Sequence, residues 1–486
     1  MRIKRLIAAA VSLVMLWAVF CVPSVASGAA ASKCGCGEVL QVWVDGFGQA
    51  LYYDEGGPDE REAGNIHTDG ILPSLQWVAL GGALSLRYQS WLPLAGGLGQ
   101  VLYALLGHLR VDEHGKSVEP IGSHWVIDEE QVKNHRDTPE FWFRYDFRMD
   151  PFELAAQLND FIETLCKKTG HDRIAITGHS EGTNIVMTYV SVYGTRRLET
   201  IILANGGWQG LTLAGQLFTG ELALDPRAIA NLIADLDDGS GTTRAAAELL
   251  YASHLLDFTP TLGEFLANNL VGPLFQTTLV PLMCTMPVVW AFVPPEHYEQ
   301  AIKVLGDDPK YDEVRARADR YQREVMAKSP ALLKKAKANG VKVAVIASYQ
   351  WAPIPVTKDS FYQSDRLIES ARAAGGATAA PFGQVLPPSD SKYRSPDGVF
   401  DAATCVLPDQ TWFVKYNWHN PDCMEDLRQW VIHSRSYPSV TANPDFPQYL
   451  MRTEDGRAVP LTEGERVQAS LNFAQAAWGV AKALFN

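Results

Sequence analysis

The chain has 486 residues and a formal charge of −13, from 42 Lys and Arg against 55 Asp and Glu. That balance excludes a nucleic-acid partner, whose phosphates demand concentrated Lys and Arg, and no basic run occurs beyond the first few residues. With 47% hydrophobic residues it can bury a sizeable core, as two or three units or as one large domain with insertions.

Arg2, Lys4 and Arg5 precede an apolar run from Leu6 to Val22, followed by small residues from Ser24 to Ala31. A basic start, an apolar middle and a small-residue cleavage zone predict a signal peptide and cleavage region over residues 1–31. Cleavage after Ala26 fits best. The run is almost long enough to span a bilayer, so an uncleaved anchor is the alternative. Either way the expected location is secreted or cell-surface. Six cysteines lie beyond Cys21: Cys34, Cys36, Cys166, Cys284, Cys405 and Cys423. An oxidising compartment permits three disulfides among them, and Cys405 with Cys423 is a candidate clamp. Cys166 falls on an amphipathic helix and reads as a buried thiol. Cys34-x-Cys36 stands too much alone to read as a metal site.

Residues 32–210 read as the first part of an α/β core. Glu38 to Val44 is an apolar strand ending in Asp45-Gly46-Phe47-Gly48. Residues 52–140 are irregular in pattern, with a glycine-rich apolar stretch from Leu92 to Leu109 that reads as a helix or part of a substrate-facing surface and best suits a packed insertion. His67, His108, His114, His124 and His135 are scattered without metal-ligand spacing and read as structural. Alternating aromatics in Phe141 to Pro151 (FWFRYDFRMDP) predict a strand that leads into a helix opened by Pro151. Leu154, Leu158, Phe161, Ile162 and Leu165 give that helix one apolar face.

Arg173 to Val186 reads RIAITGHSEGTNIV. An apolar strand runs into Gly178-His179-Ser180-Glu181-Gly182, and a helix follows. G-x-S-x-G between strand and helix is a nucleophile-elbow pattern, with Ser180 at the apex of a sharp turn. The helix N-terminus beneath it favours negative charge. With the strand Thr200–Ala204, the alternation predicts a mostly parallel sheet covered by helices on both faces.

Residues 211–337 are helical in pattern and give no strand, as a cap or lid inserted between two sheet strands would. Leu270 to Pro294 is apolar beyond what a solvent-facing helix needs, so part of it packs in a core or faces a ligand or membrane. The sheet resumes in residues 338–435, with strands at Val341–Ser348, Ala379–Val385 and Thr411–Tyr416. Residues 436–486 read as a loop closed by a terminal helix over Leu461 to Phe485.

A serine hydroxyl needs a base, and the base needs an orienting carboxylate. In sheets of this type the acid and the histidine follow later strands, in chain order Ser, Asp, His. Asp365 lies in the loop after Val341–Ser348, with Asp359 and Asp401 as rivals. His419 follows Thr411–Tyr416; its rivals His254 and His297 fall in the cap, and His433 ends a helix. His179 points away from the serine in such a turn and reads as structural. The expected oxyanion donors are the backbone N–H groups of Phe47 and Glu181, with the Glu181 carboxylate favoured in the first turn of its helix.

Strand-G-F-G, then Tyr145-Asp146-Phe147-Arg148-x-Asp-Pro before a helix, then GHSEG, then a cap holding Met286-Pro287 and Trp290 resembles the lecithin:cholesterol acyltransferase-like branch of the α/β-hydrolases. The match is carried by residues 39–203. Asp365 in S-D-R and Glu181 after the serine depart from that family's pattern. The resemblance implies an α/β-hydrolase fold with Ser180 as nucleophile, Asp365 as acid and His419 as base. The combined expectation is an exported esterase, lipase or lipid acyltransferase that needs neither cofactor nor metal. Its partner is an acyl ester or lipid substrate, with possible peripheral membrane contact through the cap. An exported peptidase of the same fold and a non-catalytic binding protein on that fold are the alternatives.

Overall fold

The computed structural model describes residues 34–57, 60–64, 71–236 and 242–462. The leader expected over 1–31, His67, and all of the terminal helix beyond Thr462 lie outside them. Among the described residues, eight strands form the main sheet: β1 (Gln41–Val44), β2 (Glu140–Phe143), β3 (Ile174–His179), β4 (Leu198–Ala204), β5 (Lys342–Tyr349), β6 (Thr411–Lys415), β7 (Tyr449–Arg452) and β8 (Ala458–Pro460). Their order is β8-β7-β6-β5-β4-β3-β1-β2, parallel except where β8 returns antiparallel along β7. The chain leaves β1 on one side to form β2, then crosses back to lay β3 on the other. In an open parallel sheet, that reversal opens a crevice at the strands' carboxyl ends.

Strand residues alternate between two cores, as the pleat requires. Val42, Ile176, Ile201 and Val343 pack on one face against Leu154, Leu158 and Phe161 of α1 (Pro151–Thr169) and Ile185 and Val186 of α2 (Gly182–Tyr193). Ala175, Ile202, Ala344 and Trp412 pack on the other against Leu427 and Val431 of α3 (Glu425–His433). The helix α1 is bounded as its sequence dictates: Asp150 accepts the N–H of Phe152 at 2.8 Å, Pro151 opens it, and Gly170 closes it in the left-handed region.

Each of the four middle strands β3 to β6 is followed directly by a non-glycine residue of positive φ: Ser180 (53°), Asn205 (44°), Gln350 (74°) and Tyr416 (58°). Backbone in this region costs about 1–3 kcal/mol per residue and gathers where surrounding structure over-determines it. All four lie along one edge of the sheet.

Three expectations need correction. Ala379–Val385 is not a sheet strand: only Thr378–Ala379 is extended, and it pairs with Phe400–Asp401 in a separate ribbon. The segment after Ser436 is not simply loop, since it supplies β7 and β8. The stretch from 52 to 140 holds a helical hairpin, Ile71–Tyr88 and Leu92–Leu106. Its glycines mark close approach of two backbones: a Cβ on Gly97 would sit 2.3 Å from the Trp77 carbonyl oxygen. The candidate clamp also fails. Cys405 and Cys423 are free thiols buried in different clusters on opposite faces of the sheet. Cys166 is buried as read, and burial pushes its thiol up to about 11.

Between β4 and β5 the described chain is helical, from Thr212 to Ala338. Thr259 to Cys284 runs as one irregular helix with π turns around Pro281. Pro287–Phe292 then brings the cap back onto the sheet edge, where the Leu211 N–H donates to the Phe292 carbonyl at 2.8 Å.

Candidate active site

Ser180 stands between β3 and α2 with φ +53°, and glycines make that turn possible. A Cβ on Gly182 would lie 2.0 Å from the Val44 carbonyl oxygen, so nothing larger lets α2 close on β1. A Cβ on Gly46 would lie 2.5 Å from Ser180 Cβ and 2.8 Å from its Oγ. The loop Asp45–Phe47 therefore rests directly on the serine, and Oγ faces that loop.

Phe47 and Glu181 sit on either side of Ser180, and neither backbone N–H has a partner among the described residues. The Asp45–Phe47 loop is held from behind by the YDFR segment. Tyr145 hydroxyl donates to the Asp45 carbonyl at 2.5 Å, and Phe147 packs on Phe47 with ring centroids 4.4 Å apart. Arg148, fully buried, donates twice to Asp146 and also to the carbonyls of Leu109 (3.3 Å) and Ile121 (3.0 Å).

Asp365 and His419 meet although 54 positions separate them, with Nδ1 of His419 2.7 Å from Asp365 Oδ2. The carboxylate is buried, and its other oxygen accepts the N–H groups of Leu367 (3.0 Å) and Ile368 (2.7 Å). A carboxylate acceptor at Nδ1 puts the ring hydrogen there and leaves the Nε2 lone pair free. Burial disfavours the His419 cation, but the charge and hydrogen bond of Asp365 outweigh it, so the imidazole lies above its ordinary value. The loop carrying His419 is pinned by Asn417, whose amide donates to Ser348 Oγ and to the Asn420 carbonyl, both at 2.8 Å.

The rival residues are engaged elsewhere. Asp359 accepts from Gln216, Asp401 accepts from Ser391 and the Ala403 N–H, and His254 pairs with Asp257 on the surface. His433 ends α3, and His297 lies under the cap beside Glu296.

Ser180 and His419 open onto one cavity of about 600 Å³. Oγ makes no hydrogen bond to the histidine in this rotamer. Such contacts often tighten only when substrate binds, and a serine χ1 step between staggered wells redirects Oγ. The remaining walls are apolar: Phe47 from the β1 loop, Leu211, Leu213, Ala214, Leu217, Phe218, Phe275, Leu279, Met283, Val289 and Phe292 from the cap, and Ile354, Leu367 and Ile368 from beyond β5, with Cys284 among them.

Two side chains differ from their sequence readings. Glu181 is not a solvated first-turn carboxylate. It is fully buried with both oxygens unpartnered, and burial, then Asp146 and Asp45, raises its carboxyl far above the usual range. His179 does point back from the serine, yet it is not remote from the site. Its Nδ1 lies 3.0 Å from Asp45 Oδ1, and its ring packs at a tilt against that of His419, centroids 4.8 Å apart. The Asp45–His179 pair and Tyr145 are parts of the site that the sequence reading leaves out. Asp45 ending β1 beside the glycine loop is the signal that could have found them. Comparison with family models, with curated proteins and with solved structures returns no match, so the chemistry rests on this geometry.

Proposed function

We propose that this chain is a serine hydrolase of the α/β-hydrolase type that cleaves or transfers acyl groups of lipid-like esters. The observation that carries the reading is a cavity of about 600 Å³ with apolar walls that a strained serine and a carboxylate-bound histidine line together. Apolar walls select an acyl chain, since little in them could pair with a polar or charged substrate group.

In this mechanism Ser180 Oγ attacks the ester carbonyl carbon while His419 Nε2 takes the hydroxyl proton. The imidazolium so formed is stabilised by Asp365, which stays ionised. Negative charge on the former carbonyl oxygen is met by the N–H groups of Phe47 and Glu181, and losing one such donor raises the barrier by about 3–4 kcal/mol. His419 then returns the proton to the departing alkoxide and leaves Ser180 acylated. Water, or an alcohol, loses a proton to His419 and attacks the acyl carbon; the bond to Ser180 Oγ then breaks, and His419 returns the proton to that oxygen. Both acceptors use the same residues, which is why esterase and acyltransferase belong to one proposal. The family resemblance carried by the YDFR and GHSEG segments supports the same chemistry. Exposed Trp77, Leu80, Leu86 and Tyr88 on helix Ile71–Tyr88 offer an apolar surface for contact with a lipid interface.

The test uses a fluorophosphonate probe with a series of acyl esters and aminoacyl substrates. The expected result is covalent labelling that disappears in Ser180→Ala, with turnover favouring long acyl chains. Turnover of the aminoacyl substrates alone would make it a peptidase. Absence of both labelling and turnover would leave a binding protein on this fold and defeat the proposal.

A further inference from the structure

The other edge of the sheet carries a second constellation of reactive side chains. Cys34 and Cys36 stand just before β1, His135 shortly before β2, and His171 just before β3. These are the amino ends of three adjacent parallel strands, the edge opposite Ser180. One ligand-capable atom from each of the four residues lies within 4.8 Å of all the others. Cys34 Sγ is 3.1 Å from His135 Nε2, and Cys36 Sγ is 3.4 Å from His171 Nε2. A tetrahedral zinc site with Zn–S near 2.3 Å and Zn–N near 2.0 Å spaces its donor atoms about 3.3–3.8 Å apart. The two cysteine–histidine separations stand close to that spacing, and the remaining ones, all within 4.8 Å, need only a small closing of the four side chains around a cation.

From this we infer that Cys34, Cys36, His135 and His171 form a structural site for a thiophilic divalent cation, zinc by its donor set. Two thiolates and two imidazoles match the Cys2His2 pattern, and four protein donors leave no open position for substrate. The second layer agrees. His135 Nδ1 lies 2.7 Å from the Val132 carbonyl oxygen, so its hydrogen is held there and the Nε2 lone pair is aimed at the cluster. Gly35 and Gly37 follow the two cysteines at φ +61° and +84°, and these left-handed steps let so short a segment turn both sulfurs to one point. Sequence alone set Cys34-x-Cys36 aside for want of partners and read His135 as structural. Folding supplies those partners from positions 101 and 135 residues away.

Bound there, the cation ties the segment before β1 to the starts of β2 and β3, and each cysteine gives up its proton on ligation. The site is independent of the ester chemistry, because it lies across the length of β3 from Ser180.

The full-length chain, purified without chelator, is expected to hold about one zinc per chain by mass-spectrometric metal analysis. Stripped and reloaded with Co²⁺, it is expected to show the visible bands of tetrahedral cobalt and a thiolate-to-cobalt band in the near ultraviolet. Cys34→Ser and His171→Ala are expected to lower metal content at least tenfold and to lower Tm, whereas Cys166→Ala and Ser180→Ala keep the metal. Should the first two variants fail to fold, the cobalt spectrum of the unaltered chain still decides. Lack of a thiolate-to-cobalt band, octahedral cobalt, or isolation with Cys34 and Cys36 joined as a disulfide would overturn the proposal.

Discussion

Glu181 and His419 show how burial and a neighbouring charge set different protonation demands around one site. Glu181 has neither a cation nor a donor on its carboxyl, so the folded chain holds it protonated well above the usual range. The sign follows directly. Above about pH 4–5 the unfolded chain has released this proton while the native state keeps it, so the group lowers stability progressively as pH rises. Glu181→Gln removes that slope. Its gain in unfolding free energy over the parent is expected to be near zero at pH 4 and to grow toward pH 8, by at most about 1.4 kcal/mol per pH unit. Urea titrations at several pH values would check this, and a pH-independent difference would contradict it. His419 behaves differently. Its pKa is raised by Asp365 despite burial, and the proposed base works only when neutral. The acid limb of kcat/KM is therefore expected above the ordinary histidine value of about 6.5. Asp365→Asn should move that limb to lower pH and slow the reaction about 10²–10⁴-fold. An unmoved limb in the variant would mean that another group is the base.

The loop after β1 is positioned by a separate element, the turn that carries Tyr145 to Arg148. Tyr145 reaches the Asp45 carbonyl, Phe147 packs against Phe47, and Arg148 ties the turn to two further carbonyls. Tyr145→Phe deletes one hydrogen bond and little volume. It is expected to cost about 1–3 kcal/mol in stability, because the buried carbonyl of Asp45 is left without that donor. If Phe47 N–H is an oxyanion donor, the same change should lower kcat several-fold with KM nearly constant. A change confined to stability would separate the loop from catalysis. The elements that carry Ser180, Asp365 and His419 were legible because each follows an apolar β-rich run, whose strand character declares itself locally. The helical hairpin of 71–106 was legible only in part, as the helix that Leu92 to Leu109 could form. Its glycines, which weaken a helix reading, are there for backbone-to-backbone contact, and that contact is a property of the packed pair alone. Strands β7 and β8, four and three residues long, are too short to show a period, and pairing at the sheet edge decides them. Pairs distant in sequence were equally silent: Asp45 and His179 are 134 positions apart and meet only because β1 and β3 are neighbours.

For the molecule as a whole, the parallel sheet presents one edge with its strained residues and proposed chemistry, the other with the cysteine–histidine cluster, and the cap closes over the first. On the proposed reading the sheet fixes only where bonds are broken, and the cap fixes what fits. Leu213, Leu217 and Phe218 come from the cap's first helix, and Phe275, Leu279 and Met283 from the irregular helix around Pro281, so two cap segments face each other across the cavity. Leu217 is half-buried and borders open space rather than core. A larger side chain there takes cavity volume without overpacking the interior. Leu217→Trp is accordingly expected to lower kcat/KM for long-chain esters about ten- to a hundred-fold, within the roughly 1–3 kcal/mol that apolar pocket contacts discriminate. Turnover of a two-carbon acyl ester and labelling by a small fluorophosphonate should be nearly unaltered, since neither fills that part of the cavity. Equal loss on short and long esters would place the acyl chain elsewhere. Loss of probe labelling would show that the substitution disturbs Ser180 itself, so the ratio of long- to short-chain turnover is the quantity that tests whether the cap selects the substrate.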